Sequence, residues 1–307
     1  MNPNQRPLNP TNPALRPVCV ITGGGSGIGK ATARAMAEHR IILAGRTQSK
    51  LSDTAAELRA EGLDVLILMC DVADARSVDG LARIAAELGP VTTVVHAAGM
   101  SPHMGDAEEL LRVNALGTAH VHQAFAPVLQ PGGCLIDVSS VAAHLVPSMV
   151  LPRRLYPLAT TAPDEFINRV TRLLALLSPS HRAGLAYAIS KDYVIWLART
   201  NAARFGKLGL RVLSVSPGYV DTPMGAAEAE STSSYLSDAP IARFGRPEEL
   251  AALIAFCAGP EAGYLTGTDI LCDGGVVSTS PSVLSALRRP TNTQEPKTRP
   301  LAPALAA

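Results

Sequence analysis

An apolar run, Val18-Cys19-Val20-Ile21, stops abruptly at Thr22-Gly23-Gly24-Gly25-Ser26-Gly27-Ile28-Gly29, and an alanine-rich helical stretch follows at once, from about Lys30 to Glu38. This order predicts a buried strand, a glycine-rich turn and a helix, with the turn at the helix N-terminus. Backbone N–H groups there lack intrahelical partners, the helix dipole presents its positive end, and glycine lets the main chain approach a pyrophosphate closely. Glycines alone would also suit a flexible loop. The succession of strand, glycines and helix is what favours a nucleotide site.

The alternation continues along the chain. Arg40 to Ala44 reads as a second strand, Ala55 to Glu61 as helix, and Val65 to Met69 as strand, followed by Asp71-Val72. A helix over Ala75 to Leu88 leads to the strand Thr93-Val94-Val95 and the turn His96-Ala97-Ala98-Gly99. Further strands are expected at Leu135 to Ser140, at Arg211 to Val215 and around Thr268 to Gly275, with a helix over Leu110 to Val128 and another from Tyr187 to about Phe205. The pattern predicts an α/β protein with a single doubly wound parallel sheet, Rossmann-like, covered by helices on both faces. Ligands of such a sheet gather beyond the strand C-termini, where Gly23, Asp71 and Ala98 fall. Asp71 can bond an adenine amino group or cap its own strand end.

The second strand stops at Gly45-Arg46-Thr47, where a dinucleotide site faces the adenosine ribose. No carboxylate stands there to accept from a 2′-hydroxyl. Arg46 can instead pair with a 2′-phosphate, which favours NADP over NAD, although an arginine at this place can also lie over the surface.

Composition excludes several classes. Lys and Arg total 27 against 26 for Asp and Glu, so no global field draws in nucleic acid or an anionic membrane, and aromatics at 4% leave few platforms for stacking bases. Cys19, Cys70, Cys134, Cys257 and Cys272 are scattered without the close pairs of a zinc or redox motif and read as reduced core residues. The hydrophobic fraction of 47% supports a large core. Residues 1–16 form a Pro- and Asn-rich arm with no apolar segment, residues 17–277 the folded domain, and residues 278–307 a disordered tail. A cytoplasmic protein is expected. The stretch after Thr222 reads as a long loop able to act as a lid.

Five positions bear on chemistry. Tyr187 and Lys191 are four apart on a helix and share one face, so an ammonium lies near a phenol and can lower its pKa by on the order of 1–3 units. Ser139 and Ser140 emerge at the C-terminal end of a strand. Asn114 sits inside a helix and means little unaided. On that helix His120 and His122, two apart, point to different faces; they are read as surface histidines and no metal site is expected.

Taken together and in order, Thr22-Gly23 with Gly27 and Gly29, Asp71, Ala97-Ala98-Gly99, Asn114, Ser140, Tyr187 with Lys191, and Pro217-Gly218 with Thr222 resemble the short-chain dehydrogenase/reductase family. His96 departs from it, since the family more often has asparagine there. The resemblance implies Tyr187 as general acid/base, Lys191 as the residue that lowers its pKa and holds the nicotinamide ribose, Ser140 as the partner of the substrate oxygen, and Asn114 as support for a proton route. It implies cofactor contacts from Thr22, Gly23, Ser26, Gly27, Ile28, Gly29, Arg46, Asp71, Val72, Ala97, Ala98, Gly99, Pro217, Gly218, Val220 and Thr222. It also implies a homo-oligomer acting on a small carbonyl or alcohol substrate. A nucleotide-binding sensor or scaffold without turnover is the competing class.

The interval between Ser140 and Tyr187 is far longer than the family commonly has, so a helical insertion is expected over about 144–183. It carries a capping-box signature at Thr161-Ala162-Pro163-Asp164 and an apolar stripe of Phe166, Val170, Leu173, Leu174 and Leu177. Lid, subunit contact and decoration all remain open for it. The flanks, Val138 to Leu145 and Gly184 to Ala188, are similar to the bacterial 3α-hydroxysteroid dehydrogenase/carbonyl reductase branch, which implies a hydrophobic ketone or secondary alcohol, steroid-like in size.

Overall fold

The structure is a computed structural model that describes residues 16–226 and 237–280. Nearly all of the arm and of the tail, and residues 227–236 of the stretch read as a lid, therefore lie outside the described residues.

Seven parallel strands form one sheet: β1 (Val18–Thr22), β2 (Arg40–Gly45), β3 (Val65–Met69), β4 (Val91–His96), β5 (Leu129–Val138), β6 (Arg211–Pro217) and β7 (Asp269–Cys272). Their spatial order is β3-β2-β1-β4-β5-β6-β7, so the chain reverses its winding between β1 and β4, and a crevice opens beyond that point. β1 and β6 are buried along their whole length, as befits central strands covered on both faces.

Helices α1 (Gly27–Ala35) and α2 (Gln48–Ala60) follow β1 and β2, and α3 (Ala75–Leu88) follows β3. Asp74 caps α3, its side chain accepting from the Arg76 N–H at 3.0 Å. α4 (Ala107–Leu110) runs through a π-helical stretch, Leu111–Leu116, into α5 (Gly117–Phe125). Two apolar layers result. One places Val20, Val94 and Leu135 against Phe125, Tyr193 and Leu197; the other places Ile21, Val95 and Ile136 against Leu51, Leu250 and Ile254.

Between β5 and β6 come α6 (Ala142–Leu145), a 3-10 turn (Arg153–Leu155), α7 (Leu158–Thr161), α8 (Pro163–Leu174) and the long α9 (Pro179–Lys207). The buried stripe of α8 is Phe166, Ile167, Val170 and Leu174, while Leu173 is 61% exposed. Ile167 thus takes the place expected of Leu173, because α8 rests on α9 along a face turned by part of a residue step. The expected capping box is absent. Thr161 ends α7 and its hydroxyl donates to the Pro157 carbonyl, so Ala162 is the residue that precedes α8 and Pro163 starts it.

Beyond β6, α10 (Pro223–Ala226) and α11 (Pro247–Ala258) flank the undescribed stretch, and α12 (Val276–Thr279) follows β7. Cys19, Cys70, Cys134 and Cys257 are buried and Cys272 is half-buried, all as free thiols.

Candidate active site

The glycine-rich turn between β1 and α1 is built by close approach. A Cβ on Gly29 would lie 2.5 Å from the Gly23 carbonyl oxygen, and Gly23 itself takes φ +70° with the Ala97–Ala98 backbone packed against it. The turn is thereby pinned between β1 and the end of β4, and the start of α1 faces the crevice. Ser26 precedes α1 without spending its hydroxyl on a cap.

A cleft of about 530 Å³ opens at this edge of the sheet. It is lined by Gly23, Ser26, Gly27, Ile28 and Gly29 from the turn, and by Arg46 and Val72 from the ends of β2 and β3. Ala97, Ala98 and Gly99 line it after β4, and Pro217, Gly218, Val220 and Thr222 after β6. Ser140, Tyr187 and Lys191 line the same cleft. Thr222 also packs against the turn, its Cγ2 lying 3.1 Å from where a Gly27 Cβ would be.

Thr22, Asp71 and Asn114 stand behind the lining. Thr22 Oγ1 accepts from the Ala98 N–H at 3.2 Å and donates to His96 Nδ1 at 2.8 Å. Asp71 accepts the Ala73 N–H at 3.0 Å, which is the strand-end role of its two readings. Asn114 lies in the π-helical stretch, a geometry frequent at functional sites. Its side chain accepts from the Met100 N–H at 2.8 Å and donates to the Met100 carbonyl at 3.0 Å and to Ser190 Oγ at 3.1 Å. Ser190 Oγ in turn donates to the Tyr187 carbonyl at 2.7 Å. Asn114 therefore fastens the loop after β4 to the turn of α9 that carries both Tyr187 and Lys191.

Lys191 is buried, with Nζ donating to the Val138 carbonyl at 3.0 Å and lying 5.9 Å from the centre of the Tyr187 ring. Burial pushes its ammonium down to about 8, against the opposing pull of Asp137. Ser139 donates to the Lys191 carbonyl at 2.8 Å and so locks β5 to α9, whereas Ser140 Oγ opens to the cleft and accepts only the Ala142 N–H at 3.2 Å among the bonds described. Arg46 is exposed and makes no ion pair among the described residues.

The wider mouth is apolar: Met100, Met104, Val141, Leu145 and Met224 surround it, with Gly184 on the α9 side. Val141, Leu145 and Gly184 fall in the flanks marked in the sequence, whereas Met100, Met104 and Met224 were not marked, because they lie on loops or short turns without periodicity. Gly184 had a signal, a glycine one turn before Tyr187. The expectation of surface histidines also fails: His120 is half-buried, its Nδ1 donating to the Val72 carbonyl at 2.9 Å. His122 is buried, not a surface residue: its Nε2 donates to Asp137 Oδ2 at 2.7 Å and its Nδ1 accepts from Asn201 at 2.9 Å.

The parallel sheet, the glycine turn at its switch point and a buried lysine beside a tyrosine in one cleft define a dinucleotide-dependent oxidoreductase. Residues 17–152 match the profile of the short chain dehydrogenase family, and residues 170–277 that described as enoyl-(acyl carrier protein) reductase. A cis-4-hydroxycyclohexanecarboxylate dehydrogenase from Sinomonas cyclohexanicum is 33% identical, over 84% of this chain and 95% of its own. The 3-alpha-hydroxysteroid dehydrogenase/carbonyl reductase of Comamonas testosteroni is 30% identical over 89% of this chain and 98% of its own. A short chain dehydrogenase from Burkholderia cenocepacia, solved in complex with NADP, superposes with a TM-score of 0.69 at 25% identity, covering 86% of this chain and 99% of its own. The chain belongs to the short-chain dehydrogenase/reductase family and is an NAD(P)-dependent oxidoreductase.

No helix among the described residues is long and apolar enough to cross a membrane.

Proposed function

We propose that the protein interconverts a hydrophobic ketone or aldehyde and the corresponding alcohol, with Tyr187 as the proton donor and acceptor and with NADP preferred to NAD. The observation that carries this reading is the convergence of Ser140, Tyr187 and Lys191 in one cleft with the glycine turn, Lys191 Nζ lying 5.9 Å from the centre of the Tyr187 ring. A non-catalytic nucleotide sensor has no use for that convergence.

The residues present fit a nicotinamide dinucleotide. The turn from Gly23 to Gly29 suits the pyrophosphate, where a Cβ on Gly23 or Gly29 would strike main chain and close the approach. Arg46 suits a 2′-phosphate, Lys191 the ribose hydroxyls and Thr222 the carboxamide. The dinucleotide supplies the hydride. The protein's own residues handle the proton and the geometry. Ser140 Oγ donates to the substrate oxygen and fixes the carbonyl beside Tyr187. The Tyr187 hydroxyl gives its proton to that oxygen during reduction and takes it back during oxidation. Lys191, a fixed cation near the phenol ring, favours the phenolate that remains. Asn114 and Ser139 position α9 through Ser190 and the Lys191 carbonyl.

The mouth formed by Met100, Met104, Leu145 and Met224 supports a hydrophobic, ring-sized substrate, in the class that the Comamonas relative's name describes. A homo-oligomer belongs to the same reading. Since α8 packs in cis on α9, and α7 and α8 both pack on the π-helical stretch, the contact is assigned to another face.

Tyr187→Phe tests the reading. Turnover of a ketone panel with NADPH should fall about 10²–10⁴-fold while NADPH binding, read by fluorescence quenching, stays within a factor of about three. Near-normal turnover would remove Tyr187 from the chemistry. Binding of NADPH without turnover of any ketone or aldehyde in the wild type would favour the sensor.

A further inference from the structure

At one register of the sheet a row of polar side chains crosses five strands: Thr22, His96, Asp137, Ser214 and Asp269 are consecutive partners from β1 to β7. Partners in parallel strands project on one face, and this face lies beneath α5 and α9. Asp137 is at the centre of the row and is fully buried. Its Oδ2 accepts from His122 Nε2, and the His122 Nδ1 acceptor is engaged by the Asn201 amide, which fixes the imidazole as the neutral Nε2–H tautomer. Its Oδ1 has no hydrogen-bond partner. A carboxylate so placed has given up its hydration and is repaid by one neutral donor, an expensive arrangement unless a cation shares the low-dielectric region.

The groups that face Asp137 identify that cation. From β4 comes His96, which burial pushes down to about 4 and which is therefore neutral at working pH. From α5 comes the neutral His122. From α9 comes the Tyr193 phenol, pushed upward by burial. Also from α9 comes Lys191, whose ammonium is tied to the carbonyl of Val138, the residue next to Asp137. Lys191 is thus the one cation among these groups, and Asp137 is the one group among them whose field favours its charge.

We propose that Asp137, anchored by His122, is the buried counter-charge of Lys191, a positioning residue that keeps this side chain a cation at the floor of the cleft. The proposal rests on the reading of Lys191 as the partner of Tyr187, and its physical content is separate from turnover. Without Asp137 the desolvated ammonium loses its proton at lower pH, and the field that favours the Tyr187 phenolate is lost with it. His122 serves by holding the carboxylate in place while adding no charge of its own.

The test is a titration of the lysine side chains by ¹³Cε NMR in the folded, cofactor-free full chain, with Lys191→Arg identifying the resonance of interest. In the wild type the Lys191 midpoint is expected near 8. In Asp137→Asn, which keeps an acceptor for His122, it should fall by about one pH unit or more. Asp137→Ser offers a second, smaller acceptor should the asparagine variant not fold, and it should shift the midpoint likewise. His122→Asn keeps the carboxylate and should leave the midpoint within a few tenths of a unit. An unchanged midpoint in a folded Asp137 variant overturns the proposal, as does a shift in His122→Asn equal to that in Asp137→Asn. The alkaline limb of kcat/KM, measured beside it, should move with the midpoint. A midpoint that falls while that limb stays put supports the counter-charge and counts against the role of Lys191 in turnover.

Discussion

Gly184 shows how a single absent side chain shapes the cleft. It lies in the interior of α9, where a glycine costs about 1 kcal/mol relative to alanine, and a Cβ built there meets no atom within 4 Å. Close packing does not require it. It stands three residues before Tyr187, on the same helical face, and borders the mouth of the cleft. The missing side chain therefore leaves room for substrate. Gly184→Leu should stabilise the helix by roughly 1 kcal/mol, visible as a raised Tm, yet lower kcat/KM for bulky cyclic ketones by about 10–100-fold relative to small aliphatic ones. Equal effects on both classes would place the substrate elsewhere.

His96 acts at the same scale. It links Thr22 to Thr118, whose hydroxyl donates to the Asn114 carbonyl at 2.6 Å, so a directed chain of bonds runs from the glycine turn to the π-helical stretch. The chain needs the neutral ring. Burial holds the folded-state pKa near 4, below the ordinary 6.5, so the unfolded chain takes up the proton first as pH falls. The stability His96 contributes is full above about pH 6.5 and is lost as pH drops toward 4, by on the order of 3 kcal/mol. His96→Asn can keep both bonds and does not titrate. Its denaturation midpoint should show a shallower acid loss between pH 6.5 and 4 than the wild type, and parallel curves would show that the ring is not the titrating group.

Among the elements, the segment between α6 and α9 is held to the site by a buried anchor at Asp192. Arg153 makes a two-point contact with Asp192, Nε to Oδ2 at 2.9 Å and a terminal nitrogen to Oδ1 at 2.6 Å, and the Tyr156 hydroxyl donates to the same carboxylate at 2.8 Å. Asp192 is buried and directly follows Lys191. Tyr156 is fully buried and stacks edge-on with Tyr193 and Trp196 of α9. Arg153→Ala leaves the carboxylate with one hydroxyl donor and should cost about 1–3 kcal/mol, at the low end because the arginine is half-exposed. Tyr156→Phe keeps the ring and should cost about 1 kcal/mol. Proteolysis within residues 145–178 should accelerate more in the arginine variant. Equal rates would mean that apolar packing of α8 alone secures the segment.

This segment is also where the sequence was least legible. Helical periodicity located α8, but the Thr161 signature was misleading because its hydroxyl closes α7 by a backward bond, a choice that depends on the preceding turn. Leu173 and Ile167 exchanged places for a similar reason, since periodicity gives the width of a stripe and the packing partner gives its direction. By contrast β1, the glycine turn and α3 were readable because their cause is local: an apolar run, a backbone conformation that glycine admits, and helical periodicity. His122 and Asp137 were opaque as a pair. Each is unremarkable in its own element, and only the register of β5 against α5 brings them together.

For the whole molecule, a balanced charge leaves no field to recruit a dinucleotide phosphate from a distance. Any preference for NADP must then come from side chains at the end of β2. Gly45, Arg46 and Thr47 line that end of the cleft without a carboxylate, and Arg46 is exposed with no ion pair among the described residues. A charge-assisted fork onto a 2′-phosphate is worth about 1.5–3 kcal/mol, or roughly tenfold to a hundredfold in affinity. Arg46→Ala should therefore raise the KM for NADPH by about that factor and leave the KM for NADH within about twofold. Because the arginine is exposed, the wild-type preference should also weaken as ionic strength rises from about 0.05 to 0.5 M, while the variant shows little salt dependence. A wild type that prefers NADH, unchanged by the substitution, would show that Arg46 lies over the surface and that the cofactor is selected elsewhere.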